Sequence, residues 1–211
     1  MVVILVIITV ALCFIIDWFT KTQPATPKPS IWLRSDTEYQ QALSPAFFVE
    51  GYRLREGFYF HPGHTWVFCE GPNRARIGID DFACQLSHPI KQINLLAPDQ
   101  TLTQGAHAIR LQGHGQMLTL SSPLSGRIIA INSTLWQTPE NLNRDPFANW
   151  LIIIQTDTLK IQLNNLLSGE LIHIWMAHAA TRLRIRKHLG LPLDSAFCQG
   201  FFCGVAPCSQ P

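Results

Sequence analysis

Apolar and polar positions along this chain fall into blocks of different period. Met1 to Ile16 reads MVVILVIITVALCFII, a run without a charged side chain. As a helix it would span about 24 Å, and about 28 Å with Asp17, Trp18 and Phe19 added, close to a bilayer core of about 30 Å. Trp18 would then sit at headgroup depth, where its amphipathic ring is favoured. No Lys or Arg precedes Lys21, so the basic start of a secretory signal is missing and an uncleaved transmembrane anchor over residues 1–20 is expected. A cleaved signal peptide is the alternative. Lys21, Lys28 and Arg34 all follow the segment, which predicts a single-pass protein with its main domain in the cytoplasm.

Residues 21–56 read as a Pro-rich spacer and lead-in. Thr20 to Ser30 holds three prolines and no large apolar residue, a semi-rigid connector. Ile31 to Leu33 and Phe47 to Val49 are short apolar runs in an otherwise mixed, partly ordered stretch.

From Gly57 the period becomes that of strands. Thr65 to Phe68 is β-prone, and Gly71-Pro72-Asn73 marks a turn. Arg74 to Ile79 alternates, predicting a half-buried strand. Asp80 followed by Phe82 and Ala83 predicts a short helix with an Asp cap. Ile90 to Leu95 alternates again. Ala106 to Leu111 and Met117 to Ser121 predict a strand pair around Gly113-His114-Gly115, and Arg127 to Asn132 a further strand. Trp150 to Ile154 is continuously apolar, as in a strand buried on both faces. Many short strands between turn signals point to a sandwich or barrel over residues 57–165.

Over residues 166–190 the period becomes helical. Leu171, Trp175, Ala179, Leu183 and Ile185 or Arg186 would form the apolar stripe. Arg182, Arg184, Arg186 and Lys187 gather at the C-terminal end, where they complement the helix dipole, and Gly190 and Pro192 stop the helix. Residues 191–211 form an aperiodic tail containing cysteines.

Composition narrows this picture. With 211 residues and 47% apolar side chains, one ordinary domain plus extras is expected. A net charge of only +2, without a basic face or a known motif, argues against nucleic-acid binding. No Ser-His-Asp arrangement, phosphate loop or paired-carboxylate site stands out, so no enzyme is expected.

Five stretches, in order, resemble the glycine cleavage H-protein family. His64-Thr65-Trp66-Val67 is similar to its H-x-W-V opening strand. Gly78-Ile79-Asp80-Asp81-Phe82-Ala83 resembles its G-I-T-D-x-A segment, and Ser122-Pro123-Leu124-Ser125-Gly126 its A-P-V-S-G turn. Asn132 with Pro139-Glu140-Asn141-Leu142-Asn143 resembles its N-x-x-L-x-x-x-P-x-L-V-N run. Asp145-Pro146-Phe147, then Trp150-Leu151, resembles its D-P-Y-G-x-G-W-L ending. The resemblance covers roughly Gly57 to Leu171. It implies a mainly β fold, a flattened β-barrel or sandwich of the lipoyl/biotinyl type with short helices, flanked here by the N-terminal transmembrane helix and the C-terminal α-helix.

The family presents a lipoyl-lysine at a hairpin turn, in a segment reading E-S-V-K-A-A-S-D. Counting back from Pro123 places that lysine position on Gly115 and the family's glutamate on Gln112. Glycine offers no amine for the lipoyl amide, and Gln112 lacks the recognition charge. No lysine lies between Lys91 and Lys160. Lys91, at the start of a predicted strand, is a poor substitute for a residue at a hairpin tip. Gly113 and Gly115 also suit a plain polar turn, in which glycine supplies positive φ. No lipoate is therefore expected, and the group-carrier role of lipoamide is lost.

Cys198, Cys203 and Cys208 are regularly spaced. They could ligate zinc or an iron–sulfur cluster if His178 or His188 completed the set, or simply belong to an unstructured tail, or pair as disulfides if the body lies outside the cytoplasm. The basic helix could lie on an anionic membrane or simply pack on the barrel. His61-Pro62-Gly63-His64 is read as a turn without a ligand role. The expected function is a membrane-anchored, non-catalytic binding or scaffold module with a protein partner, such as a lipoate-handling or glycine-cleavage-like enzyme. The alternatives are a redox or metal protein working through its cysteine tail, and an acyl carrier with an unexpected attachment site.

Overall fold

The computed structural model describes Tyr39 and residues 43–95, 101–113 and 117–191. Eleven strands lie among them: β1 Ala46–Val49, β2 Tyr52–Arg55, β3 Tyr59–His61, β4 Thr65–Cys69, β5 Arg74–Ile79, β6 Gln92–Leu95, β7 Thr101–Leu102, β8 His107–Gln112, β9 Met117–Ser121, β10 Gly126–Ile131 and β11 Ile152–Gln155. The helices are α1 Asp81–Leu86, α2 Ser133–Gln137, α3 Leu159–Leu163 and α4 Glu170–His188, with a 3₁₀ turn at Pro139–Asn143. A six-stranded sheet runs β3-β4-β5-β11-β10-β7, a three-stranded sheet β6-β8-β9, and β1-β2 is a separate hairpin. Every pairing is antiparallel. The expected mainly β sandwich with short helices is present.

The core draws on both larger sheets: Trp66, Ile77, Ile79, Leu151 and Ile153 from the first, Ile93, Ile109, Leu111 and Leu120 from the second. Thr65 in β4 donates to the Ser121 carbonyl at the end of β9, 3.1 Å away, tying the two together. Phe58, Phe60, Trp66 and Phe147 form the aromatic centre, with ring centroids 5.1–6.1 Å apart. Such edge and offset contacts stabilise beyond area burial. Gly78 lies opposite Trp66, and a Cβ there would fall 2.2 Å from the indole ring. The tryptophan of the opening strand thus demands the glycine of the next.

Two expectations need revision, for β5 and for the last helix, and the partly ordered lead-in takes a definite form. β5 is buried on both faces rather than one, because the rings of Tyr39 and Trp150 cover Arg76 and the indole of Trp66 covers Gly78 on the face expected to be polar. Its polar Arg76, fully buried, donates to Glu70 at 2.5 Å and lies over the Tyr39 and Trp150 rings. Charge pairing and π faces let a polar residue occupy an interior strand position. The lead-in contains an ordered hairpin, β1-β2, stapled by Arg55 to Asp145 at 2.9 Å and by the Arg53 N–H to Asp81 at 2.8 Å. Finally, α4 buries Ile172, Trp175, Met176, Ala179, Ala180 and Leu183. Leu171 and Ile185, expected inside, are 59% and 54% exposed. The apolar stripe is rotated from the expected one because Ile172 and Met176 share the inner face with Trp175.

No helix among the described residues is long and apolar enough to cross a membrane. The expected anchor over residues 1–20 and the tail from Pro192 onward lie outside the described residues.

Candidate functional site

The β8-β9 hairpin pairs His107 with Ser121 and, past a bulge between His107 and Ile109, runs in register from Ile109 opposite Leu120 to Gln112 opposite Met117, so residues 113–116 connect the two strands. Gln112 and Met117 are both exposed, and they flank the turn where the family resemblance sets the carrier lysine. His114 and Gly115 lie outside the described residues. The turn is braced at its base. A Cβ on Gly113 would sit 2.0 Å from the Ser87 carbonyl oxygen, so only glycine permits this approach of two backbones. Lys91 donates its N–H to the Gln112 carbonyl at 2.8 Å. Its side chain is exposed just ahead of β6, so this lysine stands beside the end of the hairpin. Sequence reasoning missed that proximity, because Lys91 and Gln112 meet only through the β6-β8 pairing.

A second structural element holds the opening strand. Asp80, fully buried, caps α1 by accepting from the Ala83 N–H at 2.9 Å, and its other oxygen bonds His64 Nδ1 at 2.8 Å. The His64 ring stacks on Phe82, 4.1 Å between centroids, and meets Trp175 of α4 at 4.9 Å. One carboxylate therefore ends a strand, starts a helix and orients a histidine. The histidine and aspartate of the resembling motifs are explained as a folding device.

A cleft of about 1060 Å³ opens between the β3-β4 turn, the base of the β8-β9 hairpin and the start of α4. His61, Gln104, His107, Asn165, Leu167 and Leu171 contribute to its walls. Among the described residues, no carboxylate, lysine or arginine lines it. Burial holds the His61 imidazole down to about 4, with His64 nearby adding to the shift. It is neutral at ordinary pH and accepts from the Gly63 N–H through Nδ1 at 3.0 Å, which leaves the proton on Nε2. The cleft is thus an uncharged surface of mixed apolar and amide character. Gln104, in its wall, is held by Nε2 donating to the Pro123 carbonyl at 2.8 Å and to the Gln162 carbonyl at 3.2 Å.

A family model for the glycine cleavage H-protein matches residues 58–178. The chain belongs to the glycine cleavage H-protein family. It is 34% identical over 117 residues to the glycine cleavage system H protein of Syntrophomonas wolfei, covering 56% of this chain and 88% of that one. With the H protein of Alkaliphilus oremlandii it shares 36% over 114 residues, 54% of this chain and 88% of the relative. A crystal structure of the Mycobacterium marinum H protein aligns with a TM-score of 0.45 and 20% identity, over 48% of this chain and 85% of that one.

The remaining motif segments of this H-protein relative have structural roles. Asp145 accepts from the Phe147 and Ala148 N–H groups and pairs with Arg55, while Asn132 donates to the Trp150 carbonyl at 2.9 Å. Among the described residues no cluster of three or more His, Cys, Asp or Glu could hold a metal. Cys198, Cys203 and Cys208 lie outside them, and the suggested fourth ligands His178 and His188 are exposed on α4. Cys69 and Cys84 are free. Burial pushes both thiols up, Cys84 well up, which keeps them protonated and poor nucleophiles.

Proposed function

We propose that this chain is a membrane-anchored H-protein-like module that carries no lipoate and works by binding a protein partner. One observation carries the reading: the hairpin turn between Gln112 and Met117 belongs to a stretch without a single lysine from Lys91 to Lys160. An acyl arm must start from an amine at an exposed tip, and Gly115 offers none. The motif residues that build the strand, cap and turn are all present, so the module keeps the family's shape without its cargo. Its partner would be an enzyme that handles lipoate or one resembling the glycine cleavage enzymes, met through the hairpin and the uncharged cleft. The charge-free run Met1 to Ile16 supports the anchor.

Intact-mass measurement of protein purified from its own membrane tests this. The expected result is an unmodified chain that retains Met1 to Thr20. A lipoyl or other acyl adduct overturns it and favours a second reading, an acyl carrier using Lys91. That reading is supported by the exposed position of Lys91 beside Gln112, and it requires the adduct to vanish in Lys91→Arg.

A further inference from the structure

Tyr39 lies ahead of the family-matched residues 58–178, yet its side chain is fully buried against them. Its ring meets Phe68 edge-on at 5.3 Å and the Arg76 guanidinium at 4.3 Å, and its hydroxyl donates to the Phe147 carbonyl. Arg76 is itself held by Glu70 at 2.5 Å. The phenol thus fills a socket of β4, β5 and the loop ahead of β11, closed by aromatic, cationic and hydrogen-bonded contacts at once.

The chain that follows has no such hold. From residue 43 to residue 50 no side chain is buried. Among the described residues β1 pairs only with β2, and a lone two-stranded ribbon is marginal by itself. Phe47 stacks on His173 of α4 at 4.8 Å, Ser44 donates to the Glu56 carbonyl at 2.6 Å, and Arg55 donates to the Ser44 carbonyl. Glu50 pairs with Arg184 at 2.7 Å in the open, where water screens the pair. β2 is fixed by its own means: Leu54 is fully buried and Tyr52 meets the Phe82 ring at 4.9 Å. Phe47 also forms one wall of a pocket of about 450 Å³ between β3 and the start of α4, with Phe58, Tyr59, Ser168, Ile172 and His173 around it. β1 therefore covers a pocket while resting on surface contacts, and segments of that kind open before the core does.

We propose that Tyr39 latches a lid: with the phenol in its socket, residues 43–49 close the pocket between β3 and α4, and withdrawal of the phenol lets them swing away and open it. Residues 1–38 join the domain through Tyr39, so a displacement passed along the chain from that side meets the latch before any other buried residue described. Opening takes Phe47 from the pocket and bares Phe58 and Ile172, which are 2% and 3% exposed when it is closed, while β4, β5 and β11 keep their pairings. The lid needs neither the anchor nor a lipoate-free turn, so it stands or falls apart from the scaffold reading.

Labelling of thiols in the full chain by iodoacetamide, read by peptide mapping, tests the lid. Ile172→Cys places a thiol on the pocket wall, and the native Cys84, 3% exposed in α1, reports opening of the core. Adding Tyr39→Ala is expected to speed labelling of the Ile172→Cys thiol roughly tenfold or more, with Cys84 little changed. p-Cresol, the tyrosine side chain as a free molecule, can refill the vacated socket as small aromatics refill engineered cavities. It should restore any lost protection of Cys84 and leave the pocket thiol fast, because no peptide bond joins it to residues 43–49. Equal labelling of the pocket thiol with and without Tyr39→Ala overturns the proposal. So does p-cresol slowing both thiols alike, which would make Tyr39 a packing residue only. Where Tyr39→Ala does not fold, Tyr39→Phe decides, since it keeps the ring and loses only the bond to Phe147. A faster pocket thiol beside an unchanged Cys84 then supports the latch, and no difference overturns it.

Discussion

A Cβ built on Gly113 would lie 2.0 Å from the carbonyl oxygen of Ser87, so the base of the hairpin turn rests directly on the backbone that follows α1. A side chain there must push two backbones apart, and overpacking of this kind costs about 1–3 kcal/mol. Gly113→Ala is therefore expected to lower the urea midpoint by that amount with an unchanged slope. Gly71→Ala, at a site with nothing within 4 Å, should stay within about 0.5 kcal/mol of the parent. Equal midpoints for the two variants would refute the contact.

Asp80 serves α1 and His64 at once. Asp80→Ala removes the cap, worth about 1 kcal/mol, and strips a buried histidine of its partner, about 1–3 kcal/mol more. Asp80→Asn keeps an acceptor for the Ala83 N–H and should recover part of the loss. Denaturant titration of the two variants ranks them; an Asn variant as damaged as the Ala variant would argue that charge alone matters.

Arg76 and Glu70 form a buried pair, with side chains 1% and 4% exposed. Glu70→Ala leaves the guanidinium without its carboxylate and is expected to cost about 3–5 kcal/mol. The double replacement Glu70→Leu with Arg76→Met should be milder than Glu70→Ala, because the fully buried guanidinium is removed with its carboxylate and only Arg74, 16% exposed, loses its bond to Glu70. Thermal unfolding of both decides the order.

The neutral His61 makes stability depend on pH in a defined window. Its imidazole falls from the ordinary 6.5 to about 4 in the folded chain, so the unfolded chain takes up the proton first as pH drops. The contribution is complete above pH 6.5 and is lost progressively between there and pH 4, amounting to at most about 3 kcal/mol. His61→Gln should flatten the unfolding free energy across that window. A slope identical to the parent's would show that other groups set it.

If only the attachment residue is missing from the turn, it can be restored. Gly115→Lys combined with Gln112→Glu, incubated with a lipoate-attaching enzyme, is expected to gain one lipoyl adduct by mass while the parent gains none. No adduct on the double variant would mean that the turn no longer presents position 115 as the family's hairpin does.

The local elements were legible because they depend on near neighbours. Asp80 ahead of Phe82 and Ala83 predicted a capped helix, and the cap is there. Alternation either side of Gly113 predicted the β8-β9 pair, and Trp150 to Ile154 a doubly buried strand. The five motif stretches identified the family, and the stretch without lysine between Lys91 and Lys160 is read from the sequence alone. What the chain order could not reveal was everything set by pairing across distance. Arg74 to Ile79 looked half-buried, since its alternation is local while its burial depends on Tyr39, Trp150 and Trp66 covering its polar face. Lys91 looked remote from the hairpin until β6 paired with β8. The direction faced by α4 needed the sheets in place, because a helix with apolar residues on two sides has no inner face until something packs against one. The cleft likewise exists only where a turn, a hairpin base and a helix start converge. Periodicity reports what a segment can bury; the tertiary structure decides what it does bury, because burial is a relation between segments that the period of one does not contain.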